Sequence, residues 1–481
     1  MGIQARDMTA ERDDGRQARA GIGAWTVGLL ACAYATLLFI DRPPEPLVFP
    51  DSESYLGFGA ERTLGYPLFL AVFGADGAIV AQPLLAALAL AFLGWQLRRT
   101  LGVVLAGGAM LAVIVNVELG TYHHAILTES VFVSLLMVLL GVLARCATRP
   151  TIGAIAAASL IVGLAATVRP TGLALLPVLL LAALMLWPRL PRRRATLLVA
   201  AVLPALLAVG AERAAGVAVF GTDRASLLPR HLFAKAGMIA APAAPAVEAA
   251  SPRGKLIAAL ERDFAPIRDV VREAPTFATR AHLATNYEIC LAYACTDALR
   301  ARLDVPDSER ERLMQEVALE RILRAPGPFL GLAWLHTRRL WTPYTASHPA
   351  GVSALNRYVG DRRPLPFEAR APVLTQVVAP RRIALAVQPL MLAIGGATAA
   401  LAIVGLALAM RRANPRPAFT LACTAALAVH GPLVLTALAG VGTIRYTLAF
   451  WPAIVVALAA AVQVAIDALG PDRLRTLLRL R

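Results

Sequence analysis

Residues 152–187 read IGAIAAASLIVGLAATVRPTGLALLPVLLLAALMLW, and Arg169 is the single charge among them. Arg169-Pro170 divides the stretch into 152–168 and 171–187. Each half approaches the length of about 20 apolar residues that crosses a hydrocarbon core. Proline lacks a backbone donor and disfavours helix in the residue before it. The break therefore reads as a tight hairpin between two spans.

The same pattern recurs on both sides of this pair. Stretches 21–40, 77–97, 101–117, 125–144, 195–211, 383–410, 417–438 and 447–466 are apolar and hold no Lys or Arg. The expected fold is an all-α polytopic membrane protein of about ten transmembrane helices. Residues 64–73 (LGYPLFLAVF) are too short to span and read as a re-entrant or interfacial piece. Composition agrees, with 58% hydrophobic residues where a soluble domain has about 45–50%. Charged residues make up 16% against about 25% in soluble domains. A soluble globule, a disordered chain and, with 5 Cys in 481 residues, a disulfide scaffold are all excluded. The net charge of +16 could suit nucleic acid, but 6% aromatics and the apolar excess argue for no nucleic-acid partner.

Basic residues in a membrane chain orient it, because cytoplasmic loops retain Lys and Arg. Ten spans put both termini on one side. The loops on that side (1–20, 98–100, 145–151, 188–194, 411–416 and 467–481) carry 19 Lys and Arg. The short loops on the other side (41–76, 118–124, 169–170 and 439–446) carry 4. The expected division is a cytoplasmic tail at 1–20, a transmembrane region at 21–211 with its first external loop at 41–76, an external segment at 212–382, a second transmembrane region at 383–466, and a cytoplasmic tail at 467–481. The first apolar run is long and reads as a signal anchor. The cell inner (plasma) membrane is the expected location.

The external segment lies between the seventh and eighth spans and reads as mostly helical. Stretches 253–273 and 307–324 have helical spacing of apolar residues, the second entered by Asp307-Ser308 with Glu311 as a capping box. Residues 326–345 are aromatic and basic, as suits a helix at a membrane surface. Cys290 and Cys295 are five apart. On a continuous helix they face different ways, so they either pair across a turn or remain buried thiols.

In so apolar a chain, charge near the membrane is informative. Three places on the external face stand out. In PDSESYLGFGAERTLGYPLFL, Asp51 and Glu53 follow the first span, with Tyr55 and Arg62 close behind. A partly desolvated carboxylate there can serve as a general base. In TYHHAILTES, a helix over 125–144 sets Glu129 about 6 Å inside its outer edge, with His123 and His124 before it at the interface. In GVGTIRYTLAFWP, Arg445 and Tyr446 enter the last span together, and Arg169 is a second cation on that face. A guanidinium matches phosphate oxygens. Each also has a plain reading: a solvated loop carboxylate, a structural hydrogen bond, interfacial anchors and a snorkelling arginine.

PDSESYL with GYPLFLAVF, LTES, VRPTGLALLP and RYTLAFWP follow one another as in the GT-C class of integral membrane glycosyltransferases, which includes protein O-mannosyltransferases and aminoarabinose transferases, and the chain resembles that class. The resemblance spans residues 22–187 and 383–466. It implies transfer of a sugar from a polyprenyl-phosphate donor to the hydroxyl of a lipid, glycan or protein acceptor at the external face, with inversion. It implies Asp51, Glu53 and Glu129 as catalytic residues, with Asp51 the candidate base. It implies Arg445, Arg169 and Tyr446 around the donor phosphate, and Tyr55, Arg62, His123 and His124 as acceptor or sugar contacts. A divalent cation accompanies some members of the class, and the sequence does not decide this. A polytopic transporter and a lipid-linked glycan polymerase or ligase are the alternatives. The ionisable groups crowd one face rather than the midplane, which favours an interfacial enzyme over a transporter.

Overall fold

The computed structural model describes residues 21–342 and 381–479, apart from residues 22, 50, 60, 191–192, 222–225, 246, 412–414, 441 and 443. Helix α1 (Gly23–Ile40) is the first span. A short α2 (Ser52–Leu56) lies in the loop after it, followed by α3 (Gly65–Ile114), α4 (Val117–Tyr122) and α5 (Glu129–Thr148). Helix α6 (Ile152–Val168) reaches α7 (Leu176–Leu186) through a 3-10 turn at Pro170–Leu175, and α8 (Arg194–Phe220) follows. The chain is thus an all-α polytopic membrane protein, as its apolar stretches require. Exposed Val104, Leu203 and Leu207 lie on the flanks of these helices, where a bilayer replaces water.

Helix α3 is not one rod. Gly74 and Gly102 have φ of +70° and +79°, a conformation open to glycine alone at ordinary cost. The chain doubles back at both. Tyr66 and Gln82 flank Gly74 evenly, and the Tyr66 hydroxyl donates to Gln82 Oε1 at 3.2 Å. Gly94 and Met110 flank Gly102 evenly, and a methyl on Gly94 would strike Met110 Sδ. The piece before Gly74, expected as a re-entrant or interfacial segment, is a short helix folded back on the one that follows it. The hairpin at Gly102 separates the expected spans 77–97 and 101–117.

A second, mostly helical unit follows α8. It comprises α9 (Leu228–Met238), α10 (Pro252–Ala258), α11 (Ala265–Arg272), α12 (Phe277–Ala292), α13 (Asp297–Ala301), α14 (Asp307–Arg324) and α15 (Pro326–Leu340). It has its own apolar core around Phe233, Leu256, Leu291 and Met314. The buried carboxylate Glu288 binds Lys235 Nζ at 2.9 Å and His336 Nε2 at 2.6 Å, all three with no solvent exposure. The bundle closes with α16 (Arg381–Met410), α17 (Pro417–Ala439), α18 (Ile444–Ala449) and α19 (Trp451–Arg479).

Four local expectations are corrected. The span expected at 125 begins at Glu129, because residues 123–126 pair with the first loop instead. Helix α8 runs past 211 to Phe220, since AAGVAVF stays apolar until Gly221 ends the helix at φ +73°. Residues 253–273 are two helices divided by a π-turn at Ala259–Asp263. No side chain caps α14; its Glu311 is taken by Arg230 at 2.8 Å and Arg300 at 3.4 Å. The open choice at Cys290 and Cys295 resolves to a disulfide. Helix α12 stops at Ala292 and Tyr293 turns the backbone, which brings the two sulfurs together.

Candidate active site

The first loop is sunk into the bundle by backbone pairing. Leu47 N donates to the His124 carbonyl, and Ile126 N donates to the Leu47 carbonyl, both at 2.9 Å. Ser52 Oγ donates to the Ile126 carbonyl at 2.8 Å. Asp51 is thereby fixed just before α2. Its Oδ1 accepts from Arg62 Nη2 at 2.7 Å. The same guanidinium donates from Nε to Ser54 Oγ at 2.8 Å and from Nη1 to the Tyr55 hydroxyl at 3.2 Å. It stands 4.7 Å over the Tyr55 ring. Burial opposes the Arg62 cation, but Tyr55 and Asp51 outweigh burial and hold it above its ordinary value. Burial also pushes the Tyr55 phenol up to about 12.

The second pair joins two spans. Glu129 opens α5, is 1% exposed, and its Oε1 lies 3.1 Å from Arg169 Nη1. A carboxylate in the first turn of a helix also meets the positive end of the helix dipole. Arg169 stands between α6 and the 3-10 turn, where Pro170 forces the chain out of helix. Its guanidinium is 4.7 Å from the Tyr446 ring and 6.0 Å from Phe132. Thr63 Oγ1 donates to the Val168 carbonyl at 3.2 Å, tying the first loop to this corner. Tyr55 lies within electrostatic reach of Asp51, Arg62, Glu129 and Arg169. The two ion pairs therefore form one cluster around Tyr55.

Other expected residues stand elsewhere. Glu53 is exposed on α2 and is not among the charges within electrostatic reach of Tyr55. His123 and His124, expected as acceptor or sugar contacts, are both buried by the loop pairing. His123 is bonded through Nε2 to the Tyr34 hydroxyl at 2.9 Å and through Nδ1 to Ser130 Oγ at 2.7 Å. Burial lowers His123 to about 3 and His124 to about 4, so both are neutral scaffold. The backbone of Arg445 lies in α18, and its side chain lies outside the described residues.

Two residues near the cluster were not singled out from the sequence. His231 and Tyr293 pack edge to face at 5.8 Å. Both lie within electrostatic reach of Arg62. Tyr293 sits inside the turn closed by Cys290–Cys295, so the spacing of those cysteines was the signal that could have found it. Among the described residues no group of three or more His, Cys, Asp or Glu could hold a metal ion. Asp51 and Glu129 each face an arginine, a donor set that does not fit a divalent cation.

No protein-family model matches the chain, and no curated protein matches it. Among solved structures the chain is similar to ArnT from Cupriavidus metallidurans, crystallised bound to undecaprenyl phosphate. The identity is 14% over 93% of this chain and 79% of that one, with a TM-score of 0.33. A likeness of that degree carries no activity from one chain to the other.

Proposed function

We propose that the chain is a membrane glycosyltransferase that moves a sugar from a polyprenyl-phosphate donor to an acceptor hydroxyl at the external face of the inner membrane. The observation that carries the reading is the gathering of Asp51–Arg62 and Glu129–Arg169 around Tyr55 at one end of an otherwise apolar bundle. Such groups are costly in a membrane protein and face a wet cavity or a partner.

Asp51 is the base. The acceptor oxygen attacks the anomeric carbon as its proton passes to Asp51. The bond from that carbon to the phosphate oxygen breaks, and the phosphate leaves with the electron pair, inverting the centre. Arg62 is a positioning residue: its three donors fix Asp51, Ser54 and Tyr55 in one orientation. Arg169, held by Glu129, receives the carrier phosphate beside Tyr446 and Arg445. A guanidinium has five N–H donors and can bridge a carboxylate and a phosphate. The apolar flanks of the spans suit the polyprenyl tail.

The test is sugar transfer in detergent with a polyprenyl-phosphate sugar and envelope acceptors. Asp51→Asn keeps the size and removes the base, so turnover falls by about 10²–10⁴-fold. Glu53→Gln keeps most activity. Full turnover in Asp51→Asn with a dead Glu53→Gln moves the base two residues along. Uptake of labelled substrate into proteoliposomes without any transfer supports the transporter instead.

A further inference from the structure

We propose that a groove between α9, α12 and α15 binds the phosphate headgroup of an anionic phospholipid from the adjoining leaflet. The groove has a volume of about 430 Å³ and shares no residue with the cluster around Tyr55. Its floor is apolar, from Met238, Ile239 and Phe277, and its rim carries Arg280, Trp334 and Arg338.

The charge of the groove is one-signed. Arg230, Arg253, Arg272, Arg300, Arg310 and Arg312 of the same unit all pair with carboxylates. Among the described residues no Asp or Glu lines the groove and no carboxylate pairs with Arg280 or Arg338; Arg280 donates from Nη2 to the Arg272 and Ala274 carbonyls at 3.4 and 3.5 Å, long contacts that leave the guanidinium positive. Arg338 lies 3.9 Å over the Phe277 ring, which holds its guanidinium at the rim. Two guanidinium groups above an apolar floor match a phosphate head followed by acyl chain.

The groove is built rather than incidental. Its Met238–Ala240 wall ends α9, and the carbonyls there are clamped by arginines. Arg321 donates to Ala236 O at 3.0 Å and Ile239 O at 3.1 Å, and Arg268 donates to Gly237 O at 3.0 Å. Its position also brings it to lipid. Helix α15 ends against the spans: Thr447 Oγ1 donates to Leu340 O at 2.5 Å, and Trp341 stacks on His430 of α17 at 5.4 Å. Arg338 and Trp334 are within two turns of that junction. Leu330 and Trp334, one turn apart on α15, are 59% and 61% exposed. Exposed Trp with flanking Arg is the composition of a surface resting on headgroups.

The experiment uses the full chain in nanodiscs of phosphatidylcholine with and without phosphatidylglycerol. A benzophenone amino acid replaces Leu330, which is exposed beside the groove and is not part of its lining. The expected product on irradiation is an adduct of phosphatidylglycerol mass. Arg280→Gln with Arg338→Gln should weaken phosphatidylglycerol retention, read by native mass spectrometry, by about 30-fold. Gly331→Trp should block retention by filling the groove while leaving the arginines and the thermal midpoint in place. Equal capture of phosphatidylcholine overturns the proposal. So does competition by millimolar inorganic phosphate, which would make the groove a soluble-anion site. A crosslink to residues 343–380 or to a second copy assigns the groove to protein and also overturns it.

Discussion

Arg62 and Arg169 are the same residue type in two different situations. Arg62 is held by three side chains of its own loop, whereas Arg169 bridges α5 and an unwound corner. Glu129 is nearly inaccessible, so removing its partner leaves a buried charge unmatched. Arg169→Ala should cost about 3–5 kcal/mol, read as thermal unfolding in detergent. Glu129→Gln combined with Arg169→Met should recover most of that stability, because neither charge is then stranded. Sugar transfer should remain lost in the double variant, since the phosphate contact has gone with the guanidinium. Recovery of transfer along with stability would make the pair structural only.

Among the elements, the reversals at Gly74 and Gly102 decide how the first half of the bundle is threaded. Gly102 has φ +79° and ψ 168°, a region costly to any residue with a Cβ. Gly102→Ala should lose about 1–3 kcal/mol. Gly153 sits in α6 with nothing near its missing Cβ, so Gly153→Ala should instead gain up to about 1 kcal/mol from helix propensity. Thermal midpoints of the two variants, measured side by side, separate backbone strain from packing.

At the scale of the whole molecule, the unit from α9 to α15 is predicted to loosen in acid. Burial draws His231 from 6.5 to about 4, and burial likewise lowers His336 despite Glu288 beside it. The unfolded chain then binds more protons than the fold between about 6.5 and 4. The stability these imidazoles support is complete above 6.5 and declines through that window. Burial would raise Glu288, but Lys235 and then His336 outweigh it and hold the carboxyl at about 2. Its contribution is lost only below about 4.5. Protection factors of residues 228–340, taken relative to the intrinsic exchange rate at each pH, should therefore fall between pH 7 and pH 4.5, and His231→Gln should flatten the change. Orientation is tested on intact cells. Glu273→Cys should label from outside and Arg193→Cys should not, if the 19-to-4 charge asymmetry sets the topology.

The sequence by itself determined that the chain is an all-α polytopic membrane protein, because apolar length measured against bilayer thickness is a local property. It also marked Asp51, Tyr55, Arg62, Glu129, Arg169 and Tyr446, because polar groups beside long apolar runs need a reason to be there. It set residues 64–73 apart from the spans for the same cause of length. Only the tertiary structure decided who meets whom. Asp51 pairs with Arg62 and leaves Glu53 outside, because the backbone pairing of Leu47 with residues 124–126 sets the direction of the loop. Glu129 meets Arg169 because α5 and α6 pack together. His123 and His124 became scaffold for the same reason that the loop sank. Gly102 and Gly153 look alike in sequence, and only the path of the chain gives one a positive φ. Lys235, Glu288 and His336 lie far apart in sequence, and a buried ion pair is specified by packing rather than by spacing.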